Sequence, residues 1–188
     1  MTKAEIRKIF LQKRLALSEA EYLHLNQLLC DRFFALTDLS GVSVLHIFLP
    51  IAQKKEPDTW LIADRLRREF PQIHLAVPRM DGDILEHFLL ESPTQIAPNS
   101  WGVPEPQHGQ RVAVEKIDMV LVPLLAFDVQ GHRIGYGKGY YDRFLKNCPP
   151  RAQRIGLSFF PPLQHITATN NDVKLTSCIT PEDFFVFA

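Results

Sequence analysis

This sequence predicts a three-layer α/β/α domain, with helices on both sides of a mainly parallel sheet. Three observations lead there. Short apolar runs rich in β-branched residues end at prolines or turn residues, as strands buried on both faces do. Between them lie stretches whose apolar residues recur at helical spacing. One long run, VLVPLLAFDVQGHRIGYGKGYYDRFL over residues 120–145, passes from such a strand through a glycine-rich loop into such a helix. With 188 residues the chain can bury a core without disulfide or metal staples, so one domain over residues 1–188 is expected.

Thr2 and Glu5 make a capping box ahead of Ile6, Ile9 and Phe10, which predicts a first helix to about Leu17. Ser18 and Glu21 repeat the signal, and Tyr22, Leu25, Leu29, Phe33 and Leu36 mark one face of a longer second helix. Gly41 precedes a first strand over 42–49, which Pro50 ends. The loop 51–58 then sits at a strand's carboxyl end, where open α/β sheets bind ligands. Asp58 or Thr59 can cap a helix carrying Trp60, Ala63, Leu66 and Phe70, and 73–77 reads as a strand stopped by Pro78. Asp81, Gly82 and Asp83 signal a turn, so 84–90 forms a hairpin arm. Pro93, Pro98, Pro104 and Pro106 predict an irregular segment around Trp101. Further strands are expected at 117–122, 154–159 and 174–180, with the helix after the glycine-rich loop ending near Pro149 and Pro150.

Basic and acidic residues number 21 each, so no overall field recruits nucleic acid or an acidic membrane. Cys30, Cys148 and Cys178 are far apart and form no C-x-x-C pair, which predicts packing residues in a reducing cytosol. The seven histidines contain no H-E-x-x-H pattern. No apolar run approaches the ~20 residues of a membrane span, and no leader opens the chain, so a soluble cytoplasmic protein is expected.

The glycine-rich loop has the composition of an anion site. Gly131, Gly135, Gly137 and Gly139 bare backbone N–H groups, and a helix starting near Tyr140 would aim its positive end at the same place. Arg133 and Lys138 add mobile positive charge, and Asp142 in the first helical turn supplies a hard oxygen for magnesium on phosphates. A Walker loop is excluded, because five residues separate Gly131 from Gly137 and Gly139 stands where Ser or Thr is needed. A dinucleotide fingerprint beginning at Gly135 fails at Tyr140.

The runs 123–128, 131–133 and 135–143 resemble the signature of the 5-formyltetrahydrofolate cyclo-ligase family, also called methenyltetrahydrofolate synthetase. Thinner similarity extends to Lys3 and Arg7, to 56–59, 77–79 and 101–106, and to the surroundings of Asp172; Pro57 stands where the family is usually aliphatic. The resemblance implies a Rossmann-like class and ATP-dependent closure of 5-formyltetrahydrofolate to 5,10-methenyltetrahydrofolate, with ADP and phosphate as the other products. It implies ATP as co-substrate and Mg2+ as cofactor; a monomer is expected. It puts Lys3, Arg7, Arg133, Ile134, Gly135, Tyr136, Gly137, Lys138, Gly139, Tyr140 and Tyr141 on ATP. Lys138, Arg133 and Tyr140 would act in catalysis, and Asp142 and Asp172 would hold the metal. Leu49, Glu56, Trp101, Tyr136 and Tyr140 would contact the folate, with Trp101, Phe48 or Tyr140 stacking on the pterin.

Residue types alone leave alternatives open. Lys8, Lys13 and Arg14 are as available as Lys3 and Arg7, Asp172 could simply turn the chain after Asn170 and Asn171, and Glu56 could pair with Lys54 or Lys55 in solvent. A folate- or nucleotide-binding protein without turnover, and a small-molecule kinase, remain alternatives.

Overall fold

The computed structural model describes residues 1–187. Both capping boxes form. Thr2 accepts from Glu5 N–H at the start of α1 (Lys3–Leu15), Ser18 accepts from Glu21 N–H at the start of α2 (Glu19–Leu36), and each glutamate reaches back to its cap. The second box shortens the first helix. Ser18 must be extended to cap, so the chain leaves α1 at Leu15 and not at Leu17.

The remaining elements are β1 (Val44–His46), α3 (Thr59–Glu69), β2 (His74–Asp81), β3 (Ile84–Leu89), β4 (Ile96–Pro98), β5 (Pro104–Pro106), β6 (Met119–Val122), β7 (Ala126–Phe127), β8 (Arg133–Ile134), α4 (Tyr140–Asn147), β9 (Gln153–Leu157), β10 (Ser177–Ile179) and β11 (Phe184–Val186). Seven strands form one sheet in the order β11-β10-β9-β6-β1-β2-β3. The four inner pairings are parallel, and only the edges β3 and β11 pair antiparallel. One face packs under α2 and α3 through Leu29, Phe33, Ile62 and Leu66. The other packs under α4 through Phe144 and Leu145. Each of these buried side chains stabilises the fold by ~1.5–3 kcal/mol. The first helix lies apart, with Ile6 and Phe10 against Leu125, Ala126 and Ile134 at the strand ends.

Four departures from the sequence expectations have local causes. Residues 42–49 are mostly buried, yet ladder pairing covers only Val44–His46, because β2 and β6 meet β1 only there. Pro78 does not stop its strand. Leu90 N–H donates to Leu75 O, so alternation leaves Pro78 opposite His87 at a non-hydrogen-bonded position, its nitrogen turned to the side where β1 has already ended. The proline-rich segment is not irregular: β4 and β5 pair as a hairpin with Trp101 in its tip. The edge strand β11 has no counterpart in the expectations.

Cys30, Cys148 and Cys178 are free and buried, as packing residues. No helix among the described residues is long and apolar enough to cross a membrane.

Between β1, β3 and α4 two histidines share an apolar space. His46 is wholly buried, its ring centroid 5.0 Å from that of His87, and Phe144 lies 4.8 Å from the first and 4.1 Å from the second. Burial, and then the neighbouring His87, push His46 well below the usual histidine range. Burial pushes His87 down to about 4, against a weaker pull upward from Glu86. Both are therefore neutral in the folded protein at pH 7, while the unfolded chain takes up protons below its ordinary histidine value. Stability is fully present above about pH 6.5 and falls as pH drops, at most ~1.4 kcal/mol per pH unit for each histidine. Thermal unfolding between pH 7 and 5 should show this slope, and His87→Leu should reduce it; an unchanged slope in the variant would show that His87 protonates freely in the fold.

Candidate active site

From β1 the chain crosses by α3 to β2 on one side, and from β6 by α4 to β9 on the other. The strand order therefore reverses between β1 and β6, and a crevice opens at their carboxyl ends. Two loops overhang it: 50–58 after β1 and 123–139 after β6.

The second loop contains its own hairpin, β7 with β8, which Asp128 holds closed. This buried carboxylate accepts from the N–H groups of Gln130, His132 and Ile166 at 2.8–2.9 Å and contacts His132 Nδ1 at 3.1 Å. Burial alone would raise its pKa; the hydrogen bonds outweigh that and hold it below the ordinary value. Gly131 belongs to this turn, packed against Phe187, and not to the anion loop. The hairpin delivers 135–139 to the crevice.

Gly137 and Gly139 adopt positive φ, +89° and +72°, which bends the loop onto α4. Gly139 is the N-cap and offers no side-chain acceptor, so the first N–H groups of α4 are open to an anion. Positive charge surrounds them. Arg7 Nε donates to Gly135 O at 2.9 Å, with its guanidinium against Gly137. Lys3 Nζ pairs with Asp172 Oδ2 at 2.5 Å. The lysine at 138 is exposed on the loop. The structure thus separates Arg7, which reaches the loop, and Lys3, which pairs with Asp172, from Lys13, which lies over the Phe10 ring.

Arg133 is not mobile, contrary to the sequence expectation. It lies on β8, nearly buried, pairs with Asp142 Oδ1 at 3.0 Å and donates to Val173 O. Burial lowers its pKa and the Asp142 charge opposes that. Val173 N–H also donates to Asp142 Oδ1, which brings Asp172, the preceding residue, beside Asp142. Burial raises the Asp172 pKa, but the Lys3 and Thr169 hydrogen bonds prevail and hold it low. Oδ2 of Asp142 and Oδ1 of Asp172 lie outside these bonds. Two such oxygens suit magnesium, which keeps waters and phosphate oxygens as its other ligands. No group of three or more His, Cys, Asp or Glu able to hold a metal exists among the described residues.

On the other side of the crevice Glu56 is 3% exposed. Its Oε1 accepts from the Tyr136 hydroxyl at 2.6 Å and its Oε2 from Ile51 N–H at 2.7 Å. A solvated pair with the adjacent lysines is ruled out: Lys54 Nζ sits 4.1 Å from the Tyr136 ring centroid and Lys55 donates to Leu17 O. Leu49 and Phe48 are buried below. Tyr140 donates to Gly82 O at 2.9 Å, and Arg143 Nε to Asp83 O at 2.7 Å, which braces the loop against the β2–β3 turn. Tyr141 turns inward with its hydroxyl enclosed, and the Ile134 side chain is in the core, so either could meet a nucleotide only through its backbone. Trp101 stands apart at the β4–β5 tip, 84% exposed, and joins none of the aromatic pairs among the described residues.

Sequence reasoning missed Arg14. It is 3% exposed and donates to Lys54 O, Leu124 O and the Tyr136 hydroxyl. The signal was present: Ile6, Phe10 and Arg14 are four apart, so the arginine continues the buried stripe.

The family model described as the 5-formyltetrahydrofolate cyclo-ligase family matches residues 1–181. The 5-formyltetrahydrofolate cyclo-ligase of Mycoplasma pneumoniae is 29% identical over 183 residues, 97% of this chain and 100% of the relative. That of Escherichia coli K12 is 27% identical, over 90% and 95% of the two chains. The NMR structure of Aquifex aeolicus 5,10-methenyltetrahydrofolate synthetase superposes with a TM-score of 0.85 at 28% identity, over 99% of this chain and 93% of the other. A match that runs nearly the whole length, on a shared fold, makes this chain a member of the 5-formyltetrahydrofolate cyclo-ligase family.

Proposed function

We propose that this chain, as a monomer of one domain over residues 1–188 in the cytoplasm, closes 5-formyltetrahydrofolate to 5,10-methenyltetrahydrofolate at the expense of ATP. The observation that carries this is the 2.6 Å hydrogen bond from Tyr136 to Glu56. Tyr136 stands between Gly135 and Gly137 of the phosphate loop, so an acceptor for a pterin edge and a cradle for phosphates share one crevice.

The chemistry explains the need for both. Direct attack of the neighbouring arylamine nitrogen on the formyl carbon would have to expel hydroxide or oxide. The formyl oxygen instead attacks the γ-phosphorus and ADP leaves. The arylamine nitrogen then bonds to the formyl carbon and loses its proton, and the C–O bond breaks to release phosphate. The protein must hold the γ-phosphate in line and offset charge as it moves. The N–H groups from Gly135 to Tyr141 would bind phosphate oxygens, with Lys138 and the pinned Arg133 facing the moving charge. Tyr140, braced on Gly82, would hold its ring over the crevice. Magnesium, when bound, would neutralise phosphate charge; Asp142 and Asp172 would hold it through their outer oxygens. Glu56 keeps lone pairs on both oxygens for pterin N–H donors, and Leu49 would pack beneath them. Trp101, exposed at the β4–β5 tip, would offer its ring to the folate as a stacking surface.

Protein mixed with Mg-ATP and 5-formyltetrahydrofolate should produce methenyl absorbance and free phosphate in equal amounts. A phosphorylated product without free phosphate would identify a kinase, and binding of both ligands without turnover a sequestering protein.

Lys138→Ala should slow turnover by roughly thirty- to 160-fold, the ~2–3 kcal/mol of a charge-assisted contact at a transferring phosphate; near wild-type turnover would remove Lys138 from the reaction. Asp142→Asn should raise the magnesium requirement, read by titrating magnesium at fixed ATP. It also leaves the nearly buried Arg133 without its counter-charge, so a lower melting temperature should accompany it. Glu56→Gln presents a donor to donors and should weaken 5-formyltetrahydrofolate binding by roughly tenfold or more, with ATP-analogue affinity barely changed. Calorimetry with each ligand decides that assignment, and an equal loss for both would sink it.

A further inference from the structure

The first helix carries two arginines two turns apart on one face. Arg7 holds the carbonyl of Gly135, and Arg14 holds the hydroxyl of Tyr136, the next residue of the same loop. The two contacts differ in kind. The first fixes backbone that would cradle phosphates. The second reaches through a side chain to the other wall of the crevice, because the Tyr136 hydroxyl donates its one hydrogen bond to Glu56 Oε1 at 2.6 Å. Burial first, and then the Glu56 charge, keep that hydroxyl protonated. With its proton committed to an acceptor-only carboxylate, the phenol oxygen can only accept from Arg14, so the chain runs in one direction, guanidinium to phenol to carboxylate.

Arg14 does more than link two side chains. Its Nε donates to Lys54 O at 2.7 Å and its Nη1 to Leu124 O at 3.2 Å. These carbonyls belong to the loop after β1 and the loop after β6, the two walls of the crevice. One planar guanidinium thus spans both walls and the tyrosine between them, a fork that an ammonium cannot reproduce. Arg14 and Glu56 are also both almost wholly buried, so each charge finds its balance in the other across the shared hydroxyl.

We propose that Arg14 is a positioning residue for the folate half of the reaction: through Tyr136 it sets where the Glu56 carboxylate stands, leaving the nucleotide half to Arg7. This rests on the proposed cyclisation. Steady-state kinetics of Arg14→Lys, Tyr136→Phe and the double variant test it, with both substrates varied. Each single variant should raise KM for 5-formyltetrahydrofolate about tenfold while KM for Mg-ATP stays within about threefold. The double variant should resemble the singles, because both cut one chain. A merely structural arginine gives the opposite pattern: effects that multiply to about a hundredfold, or equal rises in both KM values. Either result, or an unchanged folate KM, overturns the role of Arg14. Should Arg14→Lys not fold, Tyr136→Phe alone carries the test, because it cuts the chain and leaves the backbone bonds intact. A wild-type protein without turnover sinks the proposed reaction and this role together, whereas wild-type turnover with multiplying effects sinks only this role.

Discussion

Tyr136 stands where loops from two adjacent parallel strands meet, and its hydroxyl donates to Glu56 Oε1 at 2.6 Å while its oxygen accepts from Arg14. The rest of the crevice follows from that placement. Two loops at the carboxyl ends of β1 and β6 diverge by default, because their crossovers leave on opposite faces of the sheet. Something must tie them together over the opening. A hydrogen-bonded chain with a charge at each end does so with strength and direction, and its burial makes any break expensive.

The side of the crevice proposed for the phosphates is secured by a second set of paired charges, of which Arg133 is buried and the others half-buried. Arg133, Asp142 and the backbone of Val173 lock the return strand β8 to the first turn of α4, and Lys3 with Asp172 closes the same corner from the first helix. Holding these groups before any ligand arrives is what an electrostatic site requires, since charges already oriented need not reorganise as a phosphate moves. The glycines serve this frame. Positive φ at Gly137 and Gly139 lets the loop pass under the Arg7 guanidinium and enter α4 without a side-chain cap competing for its N–H groups.

Beneath α4 the neutral pair His46 and His87 packs as aromatic surface against Phe144. The helix whose N-terminus is proposed to face the phosphates therefore rests on residues whose protonation would place charge in an apolar layer. Near neutral pH that layer is silent.

What the sequence determined by itself was local. The two capping boxes, the Asp81 to Asp83 turn, the strand-loop-helix run around Gly137 and the parallel character of the apolar strands all depend on competition within a few residues, and all appear in the structure. The tertiary structure decided whatever depends on a distant partner. Pro78 continues its strand because β1 has already ended beside it, β4 and β5 pair across a proline-rich tip, and β11 exists because β10 offers it an edge. Arg14 and Arg133 read as solvated or mobile charge in the sequence. Both are buried and pinned and, apart from Asp142, which lies 9 residues from Arg133, their acceptors are 40 to 122 residues away in the chain. A charged side chain's environment is set by which backbone carbonyls and carboxylates the fold brings to it, and most of these lie outside any local window of sequence.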